Sequence, residues 1–309
     1  MRTSLLTLII CLSGPVAAFS VSGPVGEAFT VVGWNVDAGG ADPHLTALRV
    51  VEIDDVHLWG LCEVRDDRWA GLLERAAGED EPGRFVRVLS PTRGSDRSLI
   101  LYDGGQFSLI RRFELDWSDQ PWHRPDMVLR PALVAQLRHH ACGQQFFFMV
   151  NRLAPKWAAE QAVAIEAWAA RQDLPVLAVG TYYFQYGVGP HPVRCEGQSG
   201  LAAMADDGVF DWIRPNNAIP TYDSDAETIE DFIFLANAAG RWSGRSRIVT
   251  KLGDFPDDDT TSDHRPVRAT ITISAPVAGL SLKARILRQI LKIQSEVDAL
   301  ELLVAQLPD

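Results

Sequence analysis

The chain has 309 residues, with 29 Lys and Arg against 40 Asp and Glu, a formal net charge of −11, and 47% apolar residues. So much apolar material suits a large buried core and excludes a disordered chain. The acidic balance disfavours nucleic acid and anionic membrane as generic partners, although it does not fix the field inside a cleft.

The first eighteen residues, MRTSLLTLIICLSGPVAA, combine Arg2, an apolar run from Leu5 to Leu12 and the small-residue site Val16-Ala17-Ala18. That is the pattern of a cleaved secretory signal, and the run is too short to span a bilayer as a helix. Residues 1–18 are therefore expected to be removed, leaving a secreted or periplasmic protein that starts near Phe19 and has no transmembrane segment. Cys62, Cys142 and Cys195 remain, an odd number without C-x-x-C spacing. This argues against a zinc cluster or a disulfide scaffold and leaves room for one bridge beside one buried thiol.

Residues 19–275 read as one α/β domain. Strand-like runs appear at FTVVGWNV (29–36), HLWGLCEV (57–64), FVRVLS (85–90), SLILYD (98–103), PALVAQLR (131–138), QFFFMVNRL (145–153), PVLAVG (175–180), DFIFLAN (231–237), RSRIVTKL (245–252) and PVRATITIS (266–274). Several are almost continuously apolar, as central strands covered on both faces are. The stretch 42–54 predicts a helix with Asp42 as N-cap, Pro43 in the first turn and Leu45, Leu48 and Val51 along one face. The alanine-rich stretch 156–172 predicts a second, amphipathic helix. Strands outnumber helices, so the expected architecture is two packed mixed sheets flanked by helices. The chain is expected to turn at Gly180, after the strand Pro175–Val179.

Residues 276–309 form a separate C-terminal segment. Ile286, Ile290, Ile293, Val297, Leu300, Val304 and Leu307 recur at alternating spacings of four and three, the seam of an amphipathic, coiled-coil-like helix. Lys283, Arg285, Arg288 and Lys292 lie in its first half, and Glu296, Asp298 and Glu301 in its second. Antiparallel pairing would set basic against acidic halves, so self-association and docking on the chain's own domain both remain open.

Four places at strand ends carry candidate chemistry: Asn35 in VVGWNV, Glu63 in LWGLCEV, Asp231 in TIEDFIFLAN, and Asp263-His264 in TSDHRPV. An acid buried at a strand terminus is costly unless a cation or hydrogen-bond donor meets it, so Glu63 is a candidate ligand for a hard divalent ion such as magnesium, with the Asn35 oxygen beside it. A nearby Asp would hold the tautomer of His264 and raise its basicity. Asp37 and Asp42 read as turn and cap residues, and the acidic run 254–259 as a solvated loop.

The order W-N-V, E-V, R-P-A-L, V-N-x-L, P-V-L-A-V-G, D-F-I-F, S-D-H-R-P-V, spread over about Phe29 to Ile273, resembles the endonuclease/exonuclease/phosphatase superfamily. The resemblance implies a four-layer α/β sandwich that hydrolyses phosphoesters, usually with magnesium. It implies that Asn35 and Glu63 are the metal pair, His264 the catalytic histidine, Asp231 the acid supporting it, and Asp263 the acid preceding it in the motif. Asn151 and Arg152 of VNRL fall where members carry V-N-H-L, with Arg152 in place of a histidine that contacts phosphate.

Three positions depart from that pattern. The family's G-D-x-N loop is G-T-Y-Y here, with Thr181 at the position of the aspartate that activates water and Tyr183 at that of the asparagine. Losing a general base typically removes 10²–10⁴ in rate and losing a transition-state donor 10²–10³, and the two overlap, so a loss of about 10³–10⁵ is expected. The expectation is an impaired phosphodiesterase site that still holds metal and a phosphoester. The alternatives are an active magnesium-dependent phosphoesterase or nuclease with a rebuilt loop, and a non-enzymatic scaffold acting through 276–309.

Overall fold

A computed structural model describes residues 26–274, apart from 80, 93, 95, 125–128, 189–197, 206–207, 224–226, 239 and 253–259. The expected secretory signal, the acidic run, Cys195 and the expected C-terminal seam therefore lie outside the described residues. In chain order the elements are β1 (Glu27–Asn35), α1 (Pro43–Val51), β2 (Leu58–Val64), α2 (Asp67–Ala77), β3 (Phe85–Leu89), β4 (Arg97–Asp103), β5 (Phe107–Leu115), β6 (Ala132–His139) and β7 (Gln145–Arg152). There follow α3 (Ala158–Ala170), β8 (Val176–Gly187), α4 (Gln198–Ala205), β9 (Phe210–Trp212), β10 (Thr228–Ala236), β11 (Trp242–Ile248) and β12 (Val267–Ile273).

The strands form two six-stranded sheets, ordered β11-β12-β1-β2-β4-β3 and β5-β6-β7-β8-β10-β9. Each sheet is mixed, because β1–β2 and β7–β8 are parallel while the other pairs are antiparallel. A parallel pair needs a crossover, and α1 and α3 supply it, one on the outer face of each sheet. The four-layer α/β sandwich results.

Both faces of the central strands are covered. Phe29, Val31, Leu58 and Ile100 meet Phe146, Phe148, Val150 and Val179 between the sheets. Val32, Trp34, Trp59 and Leu61 pack outward with Val50, Trp69 and Leu73 of α1 and α2. At Gly60 the sheets approach closely: a Cβ there would lie 2.3 Å from Val179 Cγ2 and 2.9 Å from Val150 Cγ2. The missing side chain lets the two layers meet.

All ten strand-like runs coincide with strands, and α1 and α3 fall where helices are expected. Asp42 caps α1 by accepting from the His44 and Leu45 N–H groups. The inward face of α1 differs from the expected one, however: Leu45 and Leu48 are 40% and 58% exposed, and Thr46, Ala47 and Val50 are buried instead. The helix docks through small residues, with Thr46 Oγ1 donating to the Thr261 carbonyl at 2.9 Å.

A second correction concerns Gly180. The chain does not turn there; β8 continues to Gly187. Gly180 has φ +136°, and a Cβ would lie 1.9 Å from the Asn151 carbonyl oxygen, so glycine serves the approach of β7 rather than a turn. Tyr183 (φ +55°) and Gln185 (φ +51°) then bend the strand, opposite a register shift between Ile229 and Asp231.

Candidate active site

The two parallel pairs place their C-terminal ends at one edge of the sandwich, β1–β2 from one sheet and β7–β8 from the other. Asn35 and Glu63 arrive on the first pair, and Asn151, Arg152, Thr181 and Tyr183 on the second. Asp231 arrives from β10, paired opposite Thr181, and the loop before β12 delivers Asp263 and His264. The layers are tied where the Cys62 thiol donates to the Asn151 carbonyl at 3.1 Å. Cys62 is a buried free thiol, as the sequence allows, and burial pushes it up to about 12; Cys142 is also free.

His264 is the best-braced residue of the group. Its Nδ1 lies 2.8 Å from Asp231 Oδ2, and the other oxygen of Asp231 accepts from Thr181 Oγ1 at 2.7 Å. All three side chains are buried. Burial alone would lower the imidazole, but the Asp231 carboxylate outweighs it and raises His264 to about 9, so the ring is charged at neutral pH. Ser262 Oγ accepts from the His264 N–H at 2.9 Å and donates to the Asn35 carbonyl at 2.7 Å, while the Trp34 indole donates to the His264 carbonyl at 2.9 Å. The Tyr222 ring lies against the imidazole, centroids 4.7 Å apart. Asp263 Oδ1 is 3.8 Å from His264 Nε2. Burial, eased by His264 but reinforced by Asp37 and Glu63, lifts Asp263 to about 6.

Glu63 sits in a different setting. Its backbone takes φ +60°, and its Oε1 accepts from Asn35 Nδ2 at 2.9 Å and from Arg152 Nε at 2.8 Å. The Asn35 amide oxygen in turn accepts from the Asp37 N–H at 3.1 Å. Arg152 lies over the Tyr183 ring, 5.8 Å from its centroid, and its Nη1 is 3.7 Å from Asp96, which Arg130 also pairs with.

This donor set does not fit a magnesium ion as it stands. Hard divalent cations take several oxygen ligands. Here the carboxylate expected to bind one is already neutralised by a guanidinium, and the amide oxygen beside it is engaged by backbone. Among the described residues, no group of three or more His, Cys, Asp and Glu side chains is placed to hold a metal.

The structure thus gathers Asn35, Glu63, Arg152, Thr181, Tyr183, Asp231, Asp263 and His264 at one edge. Asn151 is different: it is fully buried, its Nδ2 donates to the Tyr182 hydroxyl at 2.9 Å, and its Oδ1 has no hydrogen-bond partner among the described residues. Its side chain ties β7 to the neighbouring strand β8 within the interior. Asp37 accepts from Gly39 and Gly40 N–H groups, the turn role expected of it.

Three participants have no counterpart in the sequence reading. Tyr222 covers His264. Glu230, next to Asp231, is buried and raised to about 7, first by burial and then by Asp231. Ser262 locks the histidine loop. Glu230 had a readable signal, a second acid beside Asp231 in an apolar run; Tyr222 had none.

No family model matches the chain, and no curated protein matches it in sequence. Solved structures do. An endonuclease/exonuclease/phosphatase family protein from Bacteroides thetaiotaomicron superposes with a TM-score of 0.59 at 16% identity, covering 80% of this chain and 96% of that one. The mannosyl-6-phosphatase Bt3783 of the same organism gives a TM-score of 0.58 at 17% identity, covering 79% and 99%. The human Nocturnin catalytic domain with bound sulfate gives 0.55 at 13%, covering 80% and 94%. These identities speak for the fold alone. On topology, layer order and structural likeness, this chain has the endonuclease/exonuclease/phosphatase fold.

Proposed function

We propose that this is a secreted or periplasmic protein of the phosphoesterase fold whose site has given up turnover and retains affinity for a phosphoester-type oxyanion. The observation that carries the reading is Thr181. Its hydroxyl donates to Asp231 at 2.7 Å, where the resemblance places a carboxylate that would activate water. A threonine hydroxyl cannot take a proton from water at neutral pH, so the attacking group would lack its base. His264 and the Arg152 guanidinium, each paired with a carboxylate, are the cations of the cleft that an oxyanion would meet. Two relatives support that ligand class, one a mannosyl-6-phosphatase and one with sulfate bound.

The test compares hydrolysis of bis-p-nitrophenyl phosphate by the purified protein and by the triple variant Arg152→His, Thr181→Asp, Tyr183→Asn, each with magnesium. An inert protein and a cleaving variant support the reading. Brisk turnover by the unaltered protein, lost in Glu63→Ala, would instead establish an active magnesium-dependent enzyme with a rebuilt loop.

A second reading gives the work to residues 276–309. A cavity of about 590 Å³ opens between α1 and α2, lined by apolar Ala47, Leu48, Val51, Leu72, Ala76 and Phe85 together with His44, Glu74, Arg75 and Glu79. Its apolar lining suits the apolar seam of a heptad helix. The chain leaves β12 at Ile273, four strand spacings from β3 in the same sheet, and the twelve residues before Ile286 reach about 40 Å when extended, more than the roughly 20 Å of those spacings. The occupant of this reading is the chain's own seam. Deleting 276–309 should then lower thermal stability and increase binding of an apolar dye; no change in either, or in oligomeric state, would end it.

A further inference from the structure

We infer that Arg152 stands where a divalent cation would act: its guanidinium neutralises Glu63 from within, the cleft refuses metal, and removing that one charge uncovers a latent cation site. The inference rests on the cleft being a phosphoesterase-type site, as proposed above, and not on whether turnover has been lost.

Geometry carries the argument. Glu63 Oε1 already accepts two N–H donors, Arg152 Nε at 2.8 Å and Asn35 Nδ2 at 2.9 Å. A magnesium-sized ion approaching Oε2, the other oxygen of the same carboxylate, to about 2.1 Å would share a single negative charge with the fixed guanidinium and face that guanidinium at short range. The two cations compete for one carboxylate, and Arg152, covalently attached and already in place, competes at a high effective concentration.

Arg152 is also held on every side. Glu63 binds its Nε, Asp96 lies 3.7 Å from its Nη1, and the Tyr183 ring supports the guanidinium plane at 5.8 Å. Asp96 is kept in place by Arg130. A mobile surface arginine would leave Glu63 when a metal arrived. This one would have to break a charge-assisted hydrogen bond, a second ion pair and a cation–π contact together.

Two of the departures are then one device. Tyr183 supplies the face on which Arg152 rests, and Arg152 supplies the charge that Glu63 requires. A histidine at 152 would be shorter and would lack the fixed charge. An asparagine at 183 would offer no ring. Without Arg152 the Glu63 carboxylate, with the Asn35 amide beside it, would carry uncompensated negative charge, which a hard cation that keeps most of its waters stabilises.

The experiment measures Mn²⁺ uptake by electron paramagnetic resonance on purified protein stripped with chelator. It compares the unaltered protein with Arg152→Met, Arg152→Lys and the double variant Arg152→Met/Glu63→Gln. Melting temperatures with and without Mn²⁺ are read in parallel. Expected is no stoichiometric uptake by the unaltered protein or Arg152→Lys up to about 1 mM, uptake of one ion at least tenfold tighter by Arg152→Met, and its loss in the double variant. Mn²⁺ should raise the melting temperature of Arg152→Met alone. If Arg152→Met does not fold without metal, refolding in Mn²⁺ that depends on Glu63 supports the inference, and failure to refold in Mn²⁺ overturns it. Stoichiometric uptake by the unaltered protein that Glu63→Gln abolishes would overturn it, as would a folded Arg152→Met that takes up no metal. A turnover assay decides none of these outcomes, so this inference and the proposed function can fail separately.

Discussion

Replacing Asp231 with Asn should reverse the pH dependence of stability contributed by His264. In the unaltered protein burial opposes the imidazolium, the Asp231 carboxylate 2.8 Å away outweighs it, and the ring is raised from 6.5 to about 9. A group raised on folding adds stability that is fully present below its unfolded pKa and is lost as pH rises through the folded one. The window is therefore pH 6.5 to 9. A shift of that size corresponds to something on the order of 3 kcal/mol, and His264 is only 4% exposed, so solvent screening takes little from it.

With Asn at 231 the two largest raising influences are gone, and burial remains, opposed only by the weaker pull of Asp263 and Glu230. The ring then prefers the neutral form, its folded pKa falls below 6.5, and stability is lost as pH falls rather than as it rises. Urea unfolding at half-unit steps from pH 5.5 to 9.5 reads both limbs. The unaltered protein should weaken between pH 7 and 9, and Asp231→Asn should be flat there and weaken below pH 6.5. His264→Gln should lose the His264 contribution in both windows and keep only the slope below about pH 7 that Glu230 and Asp263 set. A flat profile for the unaltered protein between pH 7 and 9, or the same slope in Asp231→Asn, would refute the assignment of a charged, carboxylate-held histidine.

Glu230 is raised from 4.5 to about 7 by burial, so it too adds stability below pH 4.5 that is lost as pH rises through 7; Glu230→Gln should gain about 1–3 kcal/mol at pH 8 and almost nothing at pH 4 in the same unfolding assay. Thr181→Val removes the donor to a buried carboxylate oxygen and should cost about 1–3 kcal/mol, read by urea unfolding at pH 7. Gly60→Ala inserts a methyl group 2.3 Å from Val179 and should lose about 1–3 kcal/mol through separation of the sheets, visible as a lowered melting temperature.

The fold was legible because its central strands are buried on both faces: runs such as FFFMV and VLAV leave few alternatives to a covered strand. β5 escaped because it is an edge strand, largely half-exposed, with charged Arg111 and Arg112 interrupting any apolar run. α2 was available to a closer reading, since Asp66 caps it through the Trp69 N–H at 2.8 Å. The site was legible as positions and not as contacts. Arg152 and Glu63 are 89 residues apart, and Thr181 and Asp231 are 50 apart. Those meetings depend on sheet register and on two layers closing over Gly60, which local patterns do not encode. Asn151 shows the same limit: it lies next to Arg152 in the motif, yet strand alternation sends the two side chains to opposite sides.

The backbone of the cleft keeps a shape that its present side chains do not favour. Tyr183 sits at φ +55° and Glu63 at φ +60°, in the left-handed region where Asn is tolerated and a bulky residue costs roughly 1–2 kcal/mol. Substituting a half-buried Tyr by Asn ordinarily costs stability through lost apolar burial, here joined by the loss of a cation–π contact of about 0.5–1 kcal/mol with Arg152. At position 183 backbone relief offsets much of that loss. Tyr183→Asn should therefore change unfolding free energy by no more than about 1 kcal/mol, whereas Tyr186→Asn, in the same strand without a positive φ, should lose clearly more. Urea unfolding of the two single variants makes the comparison. Near-neutrality at 183 alone would mean that the strand still carries the conformation of the G-D-x-N loop it resembles, with the tyrosine held there against its own preference because Arg152 rests on it. A loss at 183 as large as at 186 would mean that the ring's packing, and not the inherited backbone, determines the shape of the site.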